Sequence, residues 1–128
     1  MRDLYSNIGV ALALAPAVKT AAGEGPAIDL SGFNSVTFLV STGAIAGSGD
    51  FGVKVQESDT TTSGDFTDAP ASVVDSNAPT TLAASSAYKI GYRGHKRYAR
   101  LALTMAGGTS IAVGAVAVKG NPAMSPVA

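Results

Sequence analysis

Tyr98-Ala-Arg-Leu-Ala-Leu-Thr-Met-Ala-Gly-Gly-Thr-Ser-Ile-Ala-Val-Gly-Ala-Val-Ala-Val118 decides the fold class. Ala99, Leu101, Leu103 and Met105 alternate with Tyr98, Arg100, Ala102 and Thr104. A period of two puts the first set on one face of a strand and the second on the other. Ala106-Gly107-Gly108-Thr109 then supplies glycine for positive φ and reads as a short hairpin connection. Ile111, Val113, Ala115 and Ala117 alternate with Ala112, Gly114, Val116 and Val118. That strand is apolar on both faces, so it belongs in the centre of a sheet or against a partner.

The same alternation spreads outward along the chain. Tyr88, Ile90 and Tyr92 share a face opposite Lys89 and Arg93, and Gly94-His95-Lys96 joins this strand tightly to the next. The last three strands therefore read as an antiparallel meander. Phe51, Val53 and Val55 alternate with Gly52, Lys54 and Gln56, which gives a half-buried strand with a wet face. Val36, Phe38 and Val40 alternate with Thr37, Leu39 and Ser41, and a first strand is expected over Ile8 to Leu14. Gly43 to Gly49 reads as a loop, and Asp59 to Pro79 as a long polar loop with one or two short strands. No stretch of eleven residues combines a 3.6-residue apolar stripe with caps and good helix formers. The expected architecture is a single all-β domain over residues 1–128, an antiparallel β-sandwich or jelly roll. Extended arms are expected at about 1–7 and 120–128, because Pro122 and Pro126 interrupt regular structure. The C-terminal stretch is either a frayed tail or an arm lying on a neighbouring subunit. Its apolar anchors would be Met124 and Val127, with Leu4 and Tyr5 at the other end.

Composition narrows the chemistry. A chain of 128 residues hides roughly two-thirds of its unfolded surface, enough for a core without staples. Cysteine is absent, which removes disulfides, thiolate nucleophiles and cysteine-ligated zinc. Nine cations balance nine anions, so the basic excess of a general nucleic-acid binder is missing. Charged residues make up 14%, against the roughly 25% usual in globular domains, and small residues dominate the apolar share. That composition suits thin β-structure and close subunit packing rather than a deep pocket. The longest apolar run, Ile8 to Val18, is too short to span a membrane and is interrupted by Pro16. Asp3 cancels Arg2, which argues against a secretory leader.

Motif by motif, catalysis finds no foothold. Gly47-Ser48-Gly49-Asp50-Phe51-Gly52 fits G-x-G-x-x-G, but a strand follows where a dinucleotide fingerprint needs a helix N-terminus. His95 is the only imidazole, sits between Gly94 and Lys96, and has no G-x-S-x-G serine elsewhere to serve. Asp59, Asp65 and Asp68 fail EF-hand spacing, since the twelfth residue from Asp59 is Pro70. No enzyme activity, cofactor or metal is expected.

Charge is distributed unevenly. Lys89, Arg93, Lys96, Arg97 and Arg100 fall within twelve residues, while Asp50, Glu57, Asp59, Asp65, Asp68 and Asp75 lie upstream. Tyr88, Tyr92 and Tyr98 interleave with the cations, as in a single-strand nucleic-acid platform. The alternation argues against that, because it turns Tyr88 and Tyr92 toward the core. Two readings stay open: solvated faces, or a dipolar subunit whose acidic loop meets the basic hairpin of a neighbour and closes a ring such as a trimer. On the second reading the five cations are subunit contacts, together with the chain ends.

Tyr88-Lys-Ile-Gly-Tyr-Arg-Gly-His-Lys-Arg-Tyr-Ala-Arg-Leu-Ala-Leu-Thr104 resembles small proteins of tailed bacteriophages and prophages. Met1-Arg-Asp-Leu-Tyr-Ser-Asn-Ile8, Ala27-Ile-Asp-Leu-Ser-Gly-Phe-Asn-Ser-Val-Thr-Phe38 and Ala117-Val-Lys-Gly-Asn-Pro122 are similar to theirs as well. The resemblance implies a virion structural protein, a decoration or cement subunit on the capsid exterior. Its partners would be the major capsid protein and, in a homotrimer, its own copies, with neither nucleic acid nor membrane. A head–tail connector, a tail component and a small glycan-binding or hydrolytic β domain are the other readings. The family has no motif with assigned roles, so no functional residue carries over.

Overall fold

The computed structural model describes residues 3–122. Ten strands follow in chain order: β1 (Gly9–Lys19), β2 (Gly23–Glu24), β3 (Ile28–Asp29), β4 (Phe33–Ala46), β5 (Asp50–Ser58), β6 (Thr67–Asp68), β7 (Val74–Ser76), β8 (Ala87–Tyr92), β9 (Tyr98–Gly107) and β10 (Ser110–Pro122). They form two antiparallel sheets. The first has the order β1-β10-β4-β8-β7; the second has β2-β9-β5-β6, with β3 also on β9. The chain is thus an all-β sandwich of the jelly-roll kind. Its strands pair as one long rolled-up hairpin: β1 with β10, β2 and β3 with β9, β4 with β8, and β5 with β6.

The core lies between the two inner faces. β4 contributes Val36, Phe38 and Val40, and β10 contributes Ile111, Val113, Ala115 and Ala117. Facing them are Phe51 and Val55 of β5 and Ala99, Leu101 and Leu103 of β9. These are the inward sets that alternation selects. Leu82, from the loop between β7 and β8, is buried with them. Its N–H donates to the Phe51 carbonyl at 2.8 Å, while the Thr42 hydroxyl donates to the Ala83 carbonyl at 2.6 Å. This loop thereby closes one side of the sandwich, linking β5 to β4, and Thr80 lies over Gly52 and buries it. Gly52 is therefore not on a wet surface as its place beside Lys54 implies.

The expected meander does not form. β8, β9 and β10 are never hydrogen-bonded to one another. Both short connections, Gly94–Lys96 and the turn after Gly107, cross from one sheet to the other. The physical reason is burial: β9 and β10 each have an apolar row that must face inward, and crossing the sandwich sets the rows against each other. Alternation specifies which face is buried but not which strand lies alongside. Likewise, Gly43 to Ala46 continue β4, and the loop expected to reach Gly49 shrinks to a two-residue turn. Gly47 and Ser48 have φ of 58° and 56°, and the Gly49 N–H donates to the Ala46 carbonyl. That is a type I′ turn, here carrying the chain between sheets.

Other boundaries move too. β1 runs past Leu14 to Lys19 by bulging twice, and Pro16 sits at a bulge on this edge strand, where no ladder N–H is required. Residues 120–122, expected in a C-terminal arm, continue β10 instead. Gly120 pairs with Ser35 and Pro122 with Phe33, while pairing to β1 ends at Lys119. Beyond that point β10 is itself an edge, so a proline is tolerated. Met124 and Val127 lie outside the described residues. At the other end, Tyr5–Asn7 form a 3-10 turn, with the Asn7 N–H donating to the Leu4 carbonyl. The polar middle does hold two short strands, β6 and β7.

The turns before β5 and before β10 pack backbone against backbone. A Cβ on Gly108, whose φ is 82°, would collide with Gly49 Cα and the Ser48 carbonyl. Gly108→Ala should therefore cost about 2–4 kcal/mol, combining left-handed strain with the collision. Gly107, with open space around it, should tolerate alanine within about 0.5 kcal/mol. Urea unfolding of the two variants checks this, and equal losses would refute it.

Candidate interaction surface

Three strand registers decide where the basic cluster ends up. Asp75 pairs with Gly91, which leaves it beside Arg93; Nε of Arg93 donates to Asp75 at 2.6 Å. Ser58 pairs with Tyr98, so Asp59 meets the loop carrying Lys96, and Nζ donates to its carboxylate at 2.9 Å. Asp29 pairs with Tyr98 and receives both Nε and one Nη of Arg97 at 3.1 Å. On the second sheet Lys54 and Gln56 both donate to Asp68. Arg93, Lys96 and Arg97 thus meet carboxylates of their own chain, two of them from the acidic stretch between Asp50 and Asp75.

Arg100 has a different position from its neighbours. It is only 7% exposed, on the outward face of β9. Its Nε donates to Gln56 at 2.7 Å, its guanidinium lies 4.3 Å from the Phe66 ring centre, and Glu24 is 3.8 Å away. It knits β2, β9 and β5 and has little surface to offer a partner. Lys89, in contrast, has no ion-pair partner among the described residues. Leu4 and Tyr5 are exposed, Tyr5 at 87%.

Tyr92 anchors the loop around His95. Its buried hydroxyl donates to Glu57 at 2.6 Å and accepts the Lys96 N–H. Burial, then the Glu57 carboxylate, push this phenol well above the usual tyrosine range. Beside it lies a shallow cavity of about 360 Å³ lined by Phe33, Asn34, His95, Lys96 and Arg97, among others. Lys96 and Arg97 are already ion-paired there. Among the described residues no three His, Asp or Glu side chains gather as a metal site, and no helix is long and apolar enough to cross a membrane.

The surface that sequence reading passed over is the outer face of the first sheet. Leu12 of β1, Val116 of β10 and Leu39 of β4 form one cross-strand row, all exposed. Val10, 64% exposed, pairs with Val118 in the next row, and Val18, 66% exposed, pairs with Ala112. Pro16 folds over Gly114 between them. Five of the seven large exposed hydrophobic residues among those described lie here. The outer face of the second sheet carries Lys54, Gln56 and Arg100 with their partners instead. One sheet is wet and the other dry. The signal was present in β10, apolar on both faces; it required the order of the sheet to show which face stays open. No protein family, curated protein or solved structure matches the chain.

Arg97 lowers Asp29, Lys96 lowers Asp59, Gln56 with Lys54 lowers Asp68, and Arg93 lowers Asp75, all below the usual carboxylate value. A depressed folded value contributes stability that is complete above the unfolded pKa of about 3.9 and is lost as pH falls through the folded value. Urea midpoints should therefore be level from about pH 8 to 5 and drop below about pH 4. A rise in stability on acidification would contradict the ion-pair assignment. Arg100→Ala should cost about 2–3 kcal/mol through lost packing and an orphaned Gln56, whereas exposed Arg93→Ala should barely shift the midpoint.

Proposed function

We propose that this chain is a structural protein of a tailed-bacteriophage virion: a decoration subunit that binds the outside of the head and stabilises the shell of major capsid protein. The observation that carries the reading is the dry outer face of the first sheet, beside which Arg93, Lys96 and Arg97 are ion-paired within the chain. A contiguous aliphatic face on a small sandwich is a protein-binding feature. The jelly roll alone hosts capsid, lectin and enzyme domains, so the fold carries no function by itself. The resemblance at Tyr88–Thr104 and at Ala27–Phe38 directs the reading to the virion.

On this reading, particles made without the chain should still assemble but should release their DNA at lower temperature. Adding the purified protein back should restore heat resistance, and antibody labelling should decorate heads. Labelling confined to tails, or heat resistance indifferent to the protein, would refute the proposal.

A further inference from the structure

We infer that the capsid surface opposite the dry face presents a carboxylate, an aspartate or glutamate set among aliphatic side chains, and that this carboxylate pairs with Lys89. The inference rests on the capsid reading above and names the chemistry that the partner carries at one point of the contact.

Register sets the geometry. Leu12 pairs with Val116, Val116 with Leu39, and Leu39 with Lys89, so the aliphatic row on the outside of the first sheet ends in a cation. Four strands at about 4.8 Å spacing make that row about 14 Å long. Lys89 is exposed and helps to line a depression of about 380 Å³ together with Leu39, Ser41, Ala87, Val116 and Asn77. A second hollow, lined by Thr37, Asp75 and Gly91 among others, adjoins Lys89 as well. Ala87 and Gly91 share the outward face of β8 with Lys89, and their small side chains leave this space on either side of its stem. A partner that fills both hollows encloses the ammonium.

The polar groups at this end select what it meets. The Asn77 N–H donates to the Lys89 carbonyl at 3.2 Å, and Asn77 Oδ1 accepts the Lys89 N–H at 2.8 Å. The amide oxygen is thereby used, and Nδ2 is the half of the side chain left to a partner. Asp75, the carboxylate in the second hollow, has both oxygens engaged by Arg93, at 2.6 and 3.2 Å. The Lys89 ammonium has no ion-pair partner among the described residues. The Lys89 end of the row thus holds donors, one of them charged, while Asn77 Oδ1 and the Asp75 carboxylate are taken. A wholly aliphatic partner would strip water from the ammonium without replacing its hydrogen bonds, which is costly. A carboxylate supplies charge-assisted acceptors to Nζ and to Nδ2 of Asn77, while its aliphatic neighbours cover Leu39 and Val116.

Heads made without the chain are the probe, and the fraction of added protein that pellets with them is the readout. Lys89→Gln should bind about tenfold more weakly and Lys89→Glu about a hundredfold, whereas Lys89→Arg should stay within about threefold of wild type. Asn77→Asp keeps the oxygen that accepts the Lys89 N–H but replaces the donor, and should also bind about tenfold more weakly. Lys54→Gln, the same change on the wet sheet, should bind as wild type does. A water-soluble carbodiimide, which takes up the water lost on amide formation, should join Nζ of Lys89 to an Asp or Glu carboxyl of the major capsid protein. Mass spectrometry of digested heads would locate that link, and Lys89→Arg should bind without forming it. This second readout uses the wild-type chain and so does not depend on any variant folding. Loaded heads with no link at Lys89, or binding indifferent to Lys89→Glu, would overturn the inference and leave the capsid reading standing. A wild-type protein that ignores heads would overturn both.

Discussion

β10 lies between β1 and β4 and has side chains that water disfavours on both of its faces. Its inner row, Ile111 to Ala117, has to meet the Ala99–Leu103 row of β9 across the core, so the short connection between the two strands must cross the sandwich instead of closing a hairpin. From that single requirement the rest follows. β9 joins the opposite sheet, β8 pairs with β4, and the chain rolls up first strand against last. The glycine contacts at Gly49 and Gly108 follow from two sheet-crossing turns occupying the same end of the molecule.

The two outer faces then diverge. On the second sheet, Lys54, Gln56, Asp68, Arg100 and Glu24 form a network that suits water, with the Arg100 stem covering apolar surface under Phe66. On the first, Val10, Leu12 and Val18 of β1, Val116 and Val118 of β10 and Leu39 of β4 face outward, with Thr37 and Ser41 beside them on β4. A sandwich built this way has a charged, solvated side and an exposed aliphatic side. The individual ion pairs are exposed and each contributes little to stability. Their consequence is electrostatic: they neutralise Arg93, Lys96 and Arg97 locally and lower the net field that this part of the surface presents.

Much of the fold was legible in single strands. The inward sets Val36-Phe38-Val40, Phe51-Val55, Ile90-Tyr92 and Ala99-Leu101-Leu103 are those that period-two alternation picks out, because each strand's pleat depends only on its own residues. Leu82 escaped notice since it sits alone in a loop, where no period exists to mark it. Arg100 looked like one more surface cation; its burial depends on Phe66, which is distant in sequence and adjacent only in the sheet.

By itself, then, the sequence determined the fold class, the inward face of each main strand and the exclusion of cysteine chemistry. These rest on local pattern and composition. Strand order, the cancellation of the basic cluster by Asp29, Asp59 and Asp75, and the exposure of Val10, Leu12, Leu39 and Val116 were decided only by tertiary structure. Each depends on register between strands far apart in the chain. Alternation is blind to register, since any two amphipathic strands can pair without changing the face that either one buries.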